Sequence, residues 1–206
     1  RLYVKICGVT GVEDAELVCA AGASALGVNL VAGSPRRVEP EQARAIVAAV
    51  AGRLETVAVV RALPAGELRA LRAALGVDWV QIHDDVDPAV VERVPGAFVA
   101  VRIGDAADVA RARRAPGPRV LVDAKVAGAL GGTGQAFDWS LVADLARARA
   151  IVLAGGLHPG NVARAVAAVA PWGVDVASGV ERTGDPRRKD PARIAAFVAA
   201  ARGGSV

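Results

Sequence analysis

Short apolar runs alternate with longer segments of helical spacing along the chain. The runs over 4–8, 25–31, 54–60, 79–83, 98–103, 119–123, 151–154 and 173–177 have strand length and are rich in Val, Ile and Leu. The segments that follow them, 12–21, 40–50, 65–75, 88–94, 106–114, 139–148, 161–169 and 191–201, read as helices. The punctuation agrees. Gly22 and Gly76 stand just past two of the helices, and Pro40 opens another. Eight strand–helix pairs in one series, with no shift in composition, predict an α/β fold, a single (β/α)8 TIM barrel forming one domain over 1–206. A doubly wound open sheet is the alternative, and it would place one dominant ligand crevice at a switch point. Polar signals recur here after at least six of the strands, which favours closure.

The first run carries an unusual pair. Alternation puts Lys5 and Cys7 on one face and Leu2, Val4 and Ile6 on the other. Burying an ammonium without a partner costs several kcal/mol. Cys7 is either a small, inert core residue or a base or nucleophile whose thiolate fraction Lys5 raises. This stretch alone leaves both open.

Composition removes several classes of function. At 206 residues, 53% hydrophobic and 22% charged, the chain has an ordinary soluble balance and enough length for a sizeable core. Neither a membrane-spanning apolar run nor a signal-peptide pattern is found, so no membrane partner is expected. Two cysteines, Cys7 and Cys19, make no disulfide framework and fit a reducing cytoplasm. The net charge of +4 comes from arginines scattered among alanines; the only lysines are Lys5, Lys125 and Lys189. With 3% aromatics and no clustered basic stripe, nucleic acid is not expected as a partner.

The chemistry falls at the strand ends, where a barrel builds its active site. These carry Cys7-Gly8, then Ser34-Pro35-Arg36-Arg37, His83-Asp84, Arg102, Asp123-Ala124-Lys125, Gly155-Gly156 and Asp175 through Ser178-Gly179. Loops after strands seven and eight of such barrels often hold a phosphate with backbone N–H groups. Gly155, Gly156, Ser178 and Gly179 suit that role, although the glycines could equally turn the chain and Ser178 cap a short helix. The loop Gly131-Gly132-Thr133-Gly134 is either an ordinary turn or a segment that closes over ligand. Asp123 follows Val120-Leu121-Val122, where partial desolvation would suit it to be a general acid; an ion pair with Lys125 or Lys5 is the other reading. Asp175 is expected to pair with Lys5 or Arg102 inside the barrel. His83 has no second His or Cys near it in sequence, so no metal site is expected. His158 reads as surface.

These motifs together resemble one family. Lys5-Ile6-Cys7-Gly8-Val9-Thr10, Ser34-Pro35-Arg36, Val80-Gln81-Ile82-His83, Asp123-Ala124-Lys125, Gly131-Gly132-Thr133-Gly134, Phe137-Asp138-Trp139, Ala154-Gly155-Gly156-Leu157 and Asp175-Val176 through Ser178-Gly179-Val180-Glu181 look like phosphoribosylanthranilate isomerase, in order and spacing, over almost the whole chain. The resemblance implies an isomerase of tryptophan biosynthesis that uses no cofactor. It would convert N-(5′-phosphoribosyl)anthranilate into 1-(2-carboxyphenylamino)-1-deoxyribulose 5-phosphate by an Amadori rearrangement. Asp123 would be the general acid and Cys7 the general base. Arg36 would pair with the anthranilate carboxylate, with Arg37 its only rival. Gly155, Gly156, Ser178 and Gly179 would hold the phosphate, and His83 and Asp175 would complete the substrate-binding set. The partner is then a phosphorylated small molecule, and the protein a cytoplasmic monomer or homodimer.

Departures fall at the aglycon side. Val28, Val60 and Arg37 stand where family members often carry aromatics, which would thin the walls around the anthranilate ring. Asp84 replaces a glycine, and Ala177 a common serine. Two further readings follow: a related barrel isomerase for a different phosphoribosylamine, and a non-catalytic barrel that binds phosphosugars. Cys7 and Asp123 together argue against the second.

Overall fold

Strand β1, Tyr3–Cys7, is buried at every position. A computed structural model describes residues 1–83, 85–123 and 140–203. Asp84, Lys125, the Gly131-Gly132-Thr133-Gly134 loop and Phe137-Asp138-Trp139 lie outside the described residues. After β1 the chain runs α1 (Val12–Ala20), β2 (Ala25–Asn29), α2 (Pro40–Ala49), β3 (Glu55–Val60), α3 (Ala65–Leu75), β4 (Trp79–Ile82) and α4 (Pro88–Glu92). It continues through β5 (Ala97–Arg102), α5 (Ala106–Arg114), β6 (Val120–Asp123), α6 (Ser140–Ala148), β7 (Ile151–Ala154), α7 (Val162–Val169) and β8 (Gly173–Val176). A short hairpin, β9 (Glu181–Arg182) and β10 (Asp185–Lys189), precedes α8 (Pro191–Ala201). Strands β1 to β8 form a closed parallel barrel in sequence order, as the alternating pattern predicts. Closure is made where Lys5 on β1 pairs in register with Asp175 on β8 and Ala25 on β2.

The predicted elements recur within one or two residues at most ends. Gly76 ends α3 in the left-handed conformation that glycine tolerates. Strand β2 stops at Asn29 rather than 31, because the Asn29 side chain turns back to accept from the Val31 N–H. The β9–β10 hairpin has no counterpart in the sequence pattern.

Alternation divides the strand residues between two cores. Val4, Ile6, Leu26, Val28, Ala58, Val60, Val80 and Ile82 pack between barrel and helices. Tyr3, Ala25, Val57, Phe98, Leu121 and Val152 fill the barrel interior. This corrects one expectation: Val28 and Val60 belong to the helix-facing layer, and the residues of β2 and β3 that reach the mouth are Asn29 and Val59. At the N-terminal end, Arg119 sits 4.0 to 5.3 Å from the ring centres of Trp79, Phe98, Tyr3 and Trp172, and pairs with Glu55 at 3.1 Å. Tyr3 also stacks on Trp172. Bulky aromatics therefore close one end, whereas Gly27, Ala154 and polar side chains leave the other end open.

Candidate active site

A cavity of about 360 Å3 opens at the C-terminal mouth of the barrel. Cys7, Arg36, His83, Asp123, Gly155, Gly156, Asp175 and Ser178 all line it. Eight of the nine residues singled out in the sequence thus share one wall system. The ninth, Gly179, adjoins the lining residue Ser178 and packs against the loop after β7: a Cβ there would come within 2.1 Å of the Leu157 carbonyl oxygen. Its lack of a side chain lets the loops after β7 and β8 approach each other.

Cys7 ends β1 with its side chain inward, above Lys5. Lys5 is 1% exposed and donates to Asp175 Oδ1 at 2.9 Å. Burial alone would push the Lys5 ammonium down, but the hydrogen-bonded Asp175 carboxylate and the neighbouring Cys7 outweigh it and hold Lys5 above its ordinary value. Asp175 therefore takes the pairing role expected of it while also lining the cavity. Gly27 on β2 faces the pair: a Cβ there would lie 2.9 Å from Cys7 Sγ and 3.2 Å from Lys5 Nζ. That strand position is kept empty by the space the thiol and ammonium need.

Asp123 ends β6, half-buried, beside Ala154 on β7 and Arg102 on β5. It borders both the central cavity and an adjoining polar one of about 420 Å3 that also touches Arg61, His83, Arg102 and Arg111. His83 is exposed at the rim, with the Gln81 amide nitrogen 2.7 Å from its Nε2. Gly155 and Gly156 both adopt positive φ, 98° and 66°, which turns the chain after β7 into the mouth. Ser178 is exposed opposite them and opens a 3-10 turn, Ser178–Val180.

Arg36 reaches the cavity from the loop after β2. Its guanidinium makes a two-point pair with Glu181, Nε to Oε1 at 2.5 Å and Nη2 to Oε2 at 2.9 Å. Burial pushes the Glu181 carboxyl up, but hydrogen bonding from Arg36 and the charge of Lys189 hold it below its usual range. Arg37 is corrected as a rival: it is exposed and paired with Glu39 at 3.1 Å, and it is not among the residues lining the cavity.

Asn29 and Val59 also line the cavity, without having been singled out from sequence, beside the apolar Leu121, Ala154, Leu157, Val176 and Ala177. Alternation gave a signal for the first, a polar residue two positions after Gly27 on an inward face. Neither the pairing of Arg36 with Glu181, 145 residues later, nor that of Lys189 with Glu181 had a signal in the sequence. Among the described residues, no helix is long and apolar enough to cross a membrane, and no group of three or more His, Cys, Asp or Glu could hold a metal ion.

Comparison with known proteins bears on this geometry. The family described as N-(5′-phosphoribosyl)anthranilate (PRA) isomerase matches residues 4–200. An N-(5′-phosphoribosyl)anthranilate isomerase from Pseudomonas fluorescens is 43% identical over 203 residues, covering 96% of this chain and 94% of that one. The crystal structure of phosphoribosyl anthranilate isomerase from Thermotoga maritima superposes with a TM-score of 0.88 at 33% identity, over 98% of this chain and 100% of that one. A structure of phosphoribosyl anthranilate isomerase in complex with reduced 1-(o-carboxyphenylamino)-1-deoxyribulose 5-phosphate gives 0.85 at 31% identity, with 98% and 100% covered. A closed eight-stranded barrel with a thiol and a carboxylate at one mouth, matched along nearly its whole length, places this chain in the N-(5′-phosphoribosyl)anthranilate isomerase family.

Proposed function

We propose that the chain catalyses the Amadori rearrangement of N-(5′-phosphoribosyl)anthranilate in tryptophan biosynthesis, with Asp123 as general acid and Cys7 as general base. Asp123 gives a proton to the ribose ring oxygen, the ring C–O bond opens, and a protonated Schiff base forms at C1′. Cys7 takes the proton from C2′, and the electron pair left there neutralises the iminium to give an enolamine. Tautomerisation to the ketone completes the isomerisation. Only protons move within one molecule, so the steps call for no cofactor.

The observation that carries this reading is the shared cavity. Cys7 and Asp123 stand on strands three apart in the barrel, β1 and β6, and line the same space, with the Gly155-Gly156 turn and Ser178 at its rim. One group can therefore act at the ring oxygen while another acts at C2′. Gly155, Gly156, Ser178 and Gly179 form the phosphate end. Arg36 takes the anthranilate carboxylate, and His83 and Asp175 complete the wall. Every group invoked belongs to one chain, which is compatible with a monomer or a homodimer acting as a single barrel over 1–206. The free thiols of Cys7 and Cys19 fit a cytoplasmic setting.

The assay generates the substrate in place and follows the loss of its fluorescence. Cys7→Ser keeps the shape but offers a hardly ionised hydroxyl, and Asp123→Asn has no proton to donate. Each is expected to lower kcat by about two orders of magnitude or more, with little change in stability. Near-normal turnover by Cys7→Ser would remove it as the base. No turnover of this substrate by the wild type, with phosphate binding retained, would favour a different phosphoribosylamine.

A further inference from the structure

Glu181 and Lys189 take no part in the reaction as written, yet both are buried and charged, at 7% and 0% exposure. Removing such groups from water is costly unless they are paired in good geometry. Glu181 accepts from Nε and Nη2 of Arg36, which occupies one edge of the guanidinium. The end-on edge, Nη1 and the second Nη2 proton, takes no part in that pairing, and Arg36 lines the cavity. An edge of this kind binds a carboxylate through two parallel hydrogen bonds.

Both ends of the Arg36 side chain are fixed. Its stem lies over Gly8, where a Cβ would come within 2.5 Å of Arg36 Cδ. Its head is held by Glu181. Lys189 Nζ in turn donates to Glu181 Oε1 and to the Ala177 carbonyl, each at 3.1 Å, and Ala177 directly precedes Ser178. Arg36 and Lys189 thus converge on one carboxylate, that of Glu181.

We propose that Glu181 is a positioning residue that aims the end-on edge of Arg36 at the aglycon carboxylate, and that Lys189 ties this arm to the phosphate loop. The network then selects substrates that carry a carboxylate and a phosphate at one fixed separation. The inference rests on the reading of Arg36 given above.

The test compares N-(5′-phosphoribosyl)anthranilate with a phosphoribosylated aniline that lacks the carboxylate. Wild type, Glu181→Gln, Arg36→Ala and the double variant are measured on both. Glu181→Gln keeps the shape but loses the charge; it is expected to raise KM for the anthranilate substrate about tenfold, leave kcat within about threefold, and leave the aniline substrate unaffected. The double variant is expected to match Arg36→Ala, because Glu181 acts through it. Glu181→Asp, which keeps the charge but withdraws it by one methylene, is the second probe and is expected to show the same substrate-selective rise. A residue that merely staples the hairpin would give equal losses on both substrates, or losses additive with Arg36→Ala. Either result overturns the positioning role while leaving the reading of Arg36 intact. Equal losses on both substrates from Arg36→Ala alone would defeat that reading and this inference with it.

Discussion

Gly27 shows how much of the site is set by a side chain that is missing. The Cys7 thiol and Lys5 ammonium occupy the space its Cβ would take, at 2.9 and 3.2 Å. Gly27→Ala therefore has to displace the sulfur, the lysine or the strand. A small displacement of a reacting group costs rate rather than binding, so kcat is expected to fall about ten- to a hundredfold with KM nearly constant. Steady-state kinetics check this, and an unchanged kcat would show that the thiol tolerates the shift. The pairing of Lys5 and Cys7 on one face was legible in the sequence, because strand alternation is local. The need for Gly27 was not, because it depends on which residue of another strand falls opposite. The same distinction explains Val28 and Val60. Family likeness pointed to those positions as pocket walls, whereas alternation from Gly27 and Val59 turns them toward the helices.

At the scale of elements, strands and helices were readable because each carries its own period and its own stop signals. The β9–β10 hairpin carries neither. Its residues are mostly polar, β9 is two residues long, and its anchors are remote in sequence. Arg187 donates to the Pro35 and Arg37 carbonyls, Thr10 donates to the Arg187 carbonyl, and the Lys189 N–H donates to Asp14. Tertiary contacts of this kind leave no trace in a window of neighbouring residues. The turn after β7 is the opposite case, since two successive glycines announced it. Gly156 has a φ of 66°, and among the described residues no atom beyond its chain neighbours lies within 4 Å of where its Cβ would point. A Gly156→Val chain thus meets backbone strain and puts a branched side chain into the cavity, where the proposed function places the phosphate. The strain, about 1–2 kcal/mol, is shared by free and bound enzyme and lowers stability; the added side chain in the cavity is expected to raise KM about tenfold, equivalent to about 1.4 kcal/mol, with a smaller effect on kcat. Competition by inorganic phosphate should weaken in parallel; inhibition constants that match wild type would count against a phosphate site at this turn.

Across the whole molecule, chemistry and stability sit at opposite ends of the barrel. Arg119 is 4% exposed among four aromatic rings, far along the strands from the mouth. A desolvated cation over such faces is worth about 2 kcal/mol or more. Arg119→Met keeps much of the volume and removes the charge. It is expected to lower unfolding free energy in urea by roughly that amount while KM and kcat stay unchanged. A loss of activity without a loss of stability would contradict the division of the two ends.

Closure of the barrel has a consequence in time. The ion pair between Lys5 and Asp175 joins residues 170 positions apart, and β1 completes its ladder only with β8. Contacts of such long sequence separation form late, because the entropy of closing the chain must be met first. The thiol-bearing strand β1 and the carboxylate on β8 that secures its neighbour are therefore brought together only in the last step of closure. A chain without β8 would hold Cys7 and Asp123 in its sequence and still lack the cavity, since the lysine beneath the thiol would have no counter-charge and the loop bearing Ser178 would be missing. The cavity thus exists only once the barrel has closed, and the order of assembly, rather than any separate control, leaves open forms without a site.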